Sequence, residues 1–439
     1  MNAMQQLILD NGLTVLLAPR AAASAMAVSV HYDVGFRSEP EGRSGFAHLF
    51  EHLMFQGSAQ YPKLDHWRYV QGLGGVVNGS THQDYTDYYQ VLPRDGLPHI
   101  LAMEADRMAS LLITEENLDN QRTVVKEEIR LNILNRAYGG FPWIPLPALL
   151  YRTYPNAHNG YGDFSDLESA TVDEAAEFYS AHYVPSNAVL TIAGAFDADQ
   201  AIALVDRSFG GLPKRPRPVR PSLEEPRPSR TVKASQVDAH APMPALAVGY
   251  RLPDPATDLD SYLAHMVLWE TLAGGSSSPL YTRLVRDRNL AVGLAGGCGL
   301  FGPLDARAPD TLAMVVTHHP ETDPDALLSE VDRELAGLSD ARTTRDLAHL
   351  ATRRLAARAG RRNADLLAHT RSLGACQLLY GRAALVDQLP ERLGAVPADA
   401  IAGAAGELLA STRAVLRLAP AQATLASAGH SATRTALTR

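Results

Sequence analysis

His48, Glu51 and His52 stand together in the stretch GFAHLFEHLMFQGS, residues 45–58. Residues three and four apart share one face of a helix, so these side chains converge if the stretch is helical. Phe46, Leu49, Phe50, Leu53 and Met54 make the rest of it strongly apolar. Two imidazoles at i and i+4 have the separation that two ligands of one Zn²⁺ need. A carboxylate between them is poorly placed to ligate the same ion, but it can take a proton from water activated there. The competing reading is two satisfied core histidines beside a surface glutamate, and the zinc reading still needs a third ligand.

The best candidate for that ligand lies in NLDNQRTVVKEEIRLNI, residues 117–133. Thr114 is placed to cap a helix there, with Glu115 and Glu116 suited to its positive end. Leu118, Val125, Ile129 and Ile133 form an apolar stripe. At about 100° per residue, Glu127 points away from the stripe and Glu128 sits at its edge, so of the two only Glu128 can face a buried metal. Gln121 falls almost beneath Glu128 and could hydrogen-bond a ligand from behind. Glu127 reads as a solvated charge.

These helices need a scaffold. The chain has 439 residues, 46% hydrophobic and 20% charged, which is globular composition and more than one ordinary core. A net charge of −8 gives no electrostatic footing for nucleic acid. Two cysteines, Cys298 and Cys376, match no metal-ligand spacing, and disulfides are not expected to hold the fold. The N-terminal MNAMQQLILDNGLTVLLAP lacks a basic head followed by a long apolar core. No signal peptide is therefore expected, and the cytoplasm is the expected location, or the periplasm for a processed form. No run approaches the roughly 20 apolar residues of a membrane span, and no membrane association is expected.

Prolines crowd residues 212–230, LPKRPRPVRPSLEEPRPSR, and favour a stiff extended connector. It separates an expected metal-bearing domain at 1–211 from a homologous domain at 231–439. The halves echo each other: ATVDEAAEFYSAHYVPSNAVLTIAG near the end of the first answers AVPADAIAGAAGELLASTRAVLRLAP near the end of the second. QLILDNGLTVLLAP carries the Asn-Gly signal of a tight hairpin, and AMAVSVHYDVG and TDYYQVLP read as strands. Strands and helices mix without βαβ alternation. The fold expected is α+β, two duplicated domains with helices on a mostly antiparallel sheet, in a clam-shell arrangement.

HLFEH is the inverted zinc-peptidase motif H-x-x-E-H. Together with the distant Glu128 in VVKEEI, it resembles the inverzincin family of pitrilysin, insulin-degrading enzyme and mitochondrial processing peptidase. LDNGLTVLL, NGSTHQDYTDYY, QRTVVKEEI and the duplication follow the family's order, and the length resembles its short two-domain branch. The resemblance implies one zinc per chain, held by His48, His52 and Glu128, with Glu51 as general base and then proton donor. Many family members carry a glutamate seven residues before the glutamate ligand; here it is Gln121, which can orient but adds no charge. GLGGVVNGSTHQDYTDYY resembles the family's edge strand beside the zinc. Gly75, Val76, Val77, Asn78 and Gly79 would then hold an extended peptide, with Asn78 on its backbone.

The second half has no inverted motif. Its counterpart SYLAHMVLWETLAGGSSS offers only His265 and Glu270 at the wrong spacing. In LYTRLVRDRNLAVGLAGG, self-sufficient relatives resemble an arginine and, seven residues on, a tyrosine that bind substrate; Val285 and Val292 stand at those places, with Arg286 one residue away. The function expected is a zinc endopeptidase of peptides or small unfolded proteins, paired with a homologous subunit lacking zinc as a heterodimer, or as a homodimer. The alternative is a non-catalytic peptide-binding or assembly subunit. His318 and His319 are expected in a loop.

Overall fold

Asn11 and Gly12 make the first reversal of the chain. In the computed structural model, which describes residues 4–421, β1 (Gln5–Ile8) and β2 (Thr14–Pro19) pair antiparallel across them. Gly12 takes φ +95°, which glycine adopts without strain, and Asn11 Oδ1 accepts from the Leu13 amide. Residues 1–3 and 422–439, the ends of the two expected domains, lie outside the described residues.

The first sheet continues with β3 (Met26–Tyr32), β4 (Val76–Thr81), β5 (Thr86–Leu92) and β6 (Ala188–Gly194), in the order β1-β2-β6-β3-β5-β4. The second holds β7 (Val232–Asp238), β8 (Ala245–Arg251), β9 (Ala291–Cys298), β10 (Thr311–His318) and β11 (Ala414–Pro420), in the order β7-β11-β8-β10-β9. One pattern runs through both. A parallel pair, β2 with β6 or β7 with β11, is followed by antiparallel neighbours out to β4 or β9. NAVLTIAG supplies β6 and RAVLRLAP supplies β11, the same place in each sheet. The fold is therefore α+β, two domains of one plan on mostly antiparallel sheets.

β3 and β6 are buried at every residue, which is why they read as continuous apolar runs rather than alternating ones. Helices α1 (Phe46–Leu53), α2 (Asp65–Gly72), α3 (Leu97–Ser110) and α4 (Glu115–Ile129) follow in the first unit, α4 through Glu127. α5 (Pro145–Leu150) comes next, then α6 (Val172–His182). Thr171 begins α6 with a capping box: its hydroxyl accepts from the Glu174 amide while the Glu174 carboxylate takes the Thr171 amide. Between β6 and β7, residues 213–229 form neither helix nor strand, as their prolines require.

Each compact unit borrows a helix from the other half of the sequence. α5, from the first half, packs on β8 and β11 of the second sheet, where Leu146 and Leu150 join Ala313 and Ala414. After α7 (Leu259–Ala273), α8 (Leu366–Tyr380) from the second half packs on β3 and β6 of the first sheet. There Leu373, Cys376 and Leu379 share a core with Leu16, Val189 and Ala193. Fully burying a side chain such as Leu373 is worth about 1.5–3 kcal/mol, so α8 is an integral part of the first unit. Among the described residues no single helix is long and apolar enough to cross a membrane.

Candidate metal centre

α1 begins at Gly45, whose φ of +92° belongs to the left-handed region. A Cβ there would lie 2.7 Å from Gly162 Cα, so a larger residue does not fit. Buried Glu39 accepts from the Gly45 amide at 2.9 Å and the Ala47 amide at 2.8 Å, setting negative charge at the helix N-terminus, where the macrodipole favours it. Phe46, Leu49, Phe50 and Leu53 are buried and clamp the helix to the core. His48 is buried, while Glu51 and His52 are half-buried on the remaining face.

On α4, Thr114 Oγ1 accepts from the Asn117 amide at 3.2 Å, and Glu115 and Glu116 occupy the first turn. Leu118, Val125 and Ile129 are buried, Glu127 is exposed and Glu128 is half-buried. The regular helix stops sooner than its periodicity predicts. It passes at Arg130–Leu134 into a π-helical turn, whose wider winding takes Ile133 off the stripe and leaves it half-buried.

The ligand atoms of His48, His52 and Glu128 all lie within 4.8 Å of one another. The two imidazole rings are 5.1 Å apart at 75°. Two imidazoles and a carboxylate form a donor set that zinc takes, and atoms gathered this closely can converge on one ion at bonds of about 2 Å after small side-chain rotations. His48 Nδ1 lies 3.4 Å from the Tyr161 carbonyl, a contact that orients the ring. Glu51 stands on the same helix, and its Oε2 accepts from Thr81 Oγ1 at 2.7 Å. Beside Glu51 and His52 opens a cavity of about 380 Å³, walled by Phe55, Trp67, Asn78 and Gln121 among others. Gln121 is buried in that wall.

β4, which carries Val76 to Gly79, lies at the edge of the first sheet, with Gly75 just before it. Val76 and Asn78 are exposed, whereas Val77 and Gly79 are buried. At Gly79 a Cβ would sit 3.1 Å from Glu51 Cγ, so the missing side chain is what admits the glutamate. Thr81, Tyr161 and Arg371 escaped notice in the sequence. Strand alternation puts Thr81 on the same face as Val77 and Gly79, a signal that could have found it. No local pattern points to the other two.

In the second unit, His265 and Glu270 are buried on α7 and engaged structurally. His265 Nδ1 pairs with the Ser261 carbonyl at 2.9 Å, and Glu270 with Arg358 at 3.2 Å. Val285 is half-buried, while Arg286 and Val292 are exposed. His318 is not a loop residue: it ends β10, buried, because the β9–β10 ladder, which pairs it with Ala291, extends farther than its apolar run.

Residues 14–133 match the family described as Insulinase (Peptidase family M16), and residues 169–350 match the Peptidase M16 inactive domain. The zinc protease PqqE of Helicobacter pylori is 29% identical over 292 residues, 65% of this chain, and the chain's match spans 65% of that relative's length. The mitochondrial-processing peptidase subunit beta of Saccharomyces cerevisiae is 24% identical over 211 residues, 48% of this chain and 45% of that one. The crystal structure of a protease from Helicobacter pylori shares the fold, with a TM-score of 0.86 over 95% of this chain and 99% of that one at 23% identity. With a duplicated α+β scaffold and both family profiles in sequence along it, the chain belongs to the M16 peptidase family.

Proposed function

We propose that this chain is a zinc-dependent endopeptidase that hydrolyses peptides or small unfolded proteins. The observation that carries the reading is the gathering of His48, His52 and Glu128 within 4.8 Å, with Glu51 on the same helix. These three residues would hold one ion per chain. Zinc bound there would supply Lewis acidity toward the scissile carbonyl and lower the pKa of a water to about 7. The Tyr161 carbonyl favours a proton on His48 Nδ1, which would make Nε2 the ligating nitrogen. Glu51 takes the proton of the attacking water and passes it to the leaving amine. With Oε2 engaged by Thr81, Oε1 is its proton-carrying oxygen. An extended peptide adds to the exposed edge of β4, which supplies main-chain hydrogen bonds, and Asn78 reaches its backbone.

The chain is the metal-bearing member of a pair, and a homologous subunit without zinc supplies the arginine and tyrosine missing at Val285 and Val292. Exposed Val292, and the yeast relative named as a subunit, support this.

The test is cleavage of a quenched fluorogenic peptide mixture by the purified chain, with and without a chelator, beside Glu51→Gln. Chelator-sensitive turnover that falls by about 10²–10⁴-fold in the variant, with zinc still bound, is the expected result once a partner is present. Turnover that survives Glu51→Gln sinks the mechanism. Full activity of the isolated chain sinks the requirement for a partner.

A further inference from the structure

Arg371, on α8, makes contacts with the edge strand that the proposed chemistry does not use. Its guanidinium grips Asp87 on β5 with two prongs, Nε to Oδ2 at 2.6 Å and Nη2 to Oδ1 at 2.9 Å. Nη2 also donates to Ser80 Oγ on β4 at 2.5 Å, and Ser80 Oγ donates in turn to Asp87 Oδ1 at 2.6 Å. The guanidinium carbon lies 4.1 Å from the centre of the Tyr89 ring, and Tyr89 is the ladder partner of Asn78. Arg371 follows Ser80 by 291 residues, so this is a tertiary link rather than a local one.

Asp87 is fully buried, a costly place for a carboxylate without compensation. Burial opposes its ionisation, but His31, Arg371 and His82 together outweigh that and hold its carboxyl below the usual value. The resulting anion anchors Arg371, and Arg371 in turn ties down Ser80. β4 needs such an anchor because β5 is its one neighbour in the sheet. Ser80 sits between the peptide-facing residues of β4 and Thr81, so whatever fixes Ser80 fixes both.

We infer that Arg371 is a positioning residue: bridging Asp87 to Ser80, it holds β4 in register on β5 and so keeps the strand edge competent to receive an extended peptide. This rests on the peptide-edge part of the proposed function, but it does not require turnover.

The experiment measures binding of a fluorescein-labelled β-casein fragment by anisotropy in the Glu51→Gln background, well below the unfolding temperature. Arg371→Met should weaken binding about tenfold, and Arg371→Lys, which keeps the charge but not the fork, should fall between. The double variant Asp87→Asn/Arg371→Met removes both the buried carboxylate and its half-buried guanidinium partner. It should regain thermal stability lost by Arg371→Met yet remain weak in binding, since the bridge to Ser80 is still absent. Zinc content should be unchanged throughout. Binding unchanged in Arg371→Met, or restored along with stability in the double variant, overturns the inference, as does a fragment that binds no variant. Wild-type turnover is scored separately, with the partner subunit present: binding that depends on Arg371 without any turnover under those conditions leaves this role standing and defeats the endopeptidase reading.

Discussion

Thr81 Oγ1 donates to Glu51 Oε2 across 2.7 Å and so ties the edge strand to the metal helix. A hydrogen bond to a carboxylate is worth about 1.5–3 kcal/mol, and the lower part of that range fits a half-buried site. Thr81→Val keeps the shape and removes the donor. We expect kcat to fall about tenfold with KM and zinc content little changed, and Thr81→Ser to recover most of the loss. Steady-state kinetics beside metal analysis checks this; an unchanged kcat in the valine variant would show that Glu51 needs no such support.

Gly374 on α8 faces His31 and Thr191 in the buried strands β3 and β6. A Cβ at Gly374 would lie 2.4 Å from His31 Nδ1 and 3.0 Å from Thr191 Oγ1. Helix propensity alone makes alanine better than glycine by about 1 kcal/mol. The clash outweighs that gain, so Gly374→Ala should cost about 1–3 kcal/mol. Gly360, in the helix Ala341–Ala364, has nothing within 4 Å of the same position, and Gly360→Ala should stabilise by about 0.5–1 kcal/mol. Urea midpoints of the two variants should therefore move in opposite directions.

Burial pushes the His182 imidazole down to about 4, with Asp33 pulling weakly the other way. The unfolded chain, with a pKa near 6.5, binds this proton first. Stability due to His182 is thus full above about pH 6.5, falls as the pH drops toward 4, and levels off below that. Partial solvation of the ring limits the loss to about 2 kcal/mol. Denaturant unfolding of the metal-free protein between pH 7 and pH 4 should show this slope, and His182→Asn should flatten it. A slope identical in the variant would assign the acid sensitivity to other groups.

The metal helix and α4 were legible because helical periodicity is local. Spacing alone set His48, Glu51 and His52 on one face, and told Glu128 from Glu127 by a stripe of apolar neighbours. The Thr114 cap and the Asn11–Gly12 reversal were readable for the same reason, since each is decided within a few residues. The end of α4 was not, because a π turn leaves no mark in a pattern of apolar residues. His318 was misplaced because a strand's length is set by the partner it pairs with, here β9.

By itself the sequence determined that two copies of one α+β domain would form, and that two histidines and two glutamates would be presented by helices. Composition, repeat and periodicity act along the chain and need no partner. Only the tertiary structure decided that His48, His52 and Glu128 come within reach of one ion. It also decided that Thr81 meets Glu51, and that α8 crosses to the first sheet to bring Arg371 onto Asp87 and Ser80. Those contacts join segments far apart in the chain, and they follow from which apolar faces bury each other, a choice made by packing rather than by spacing.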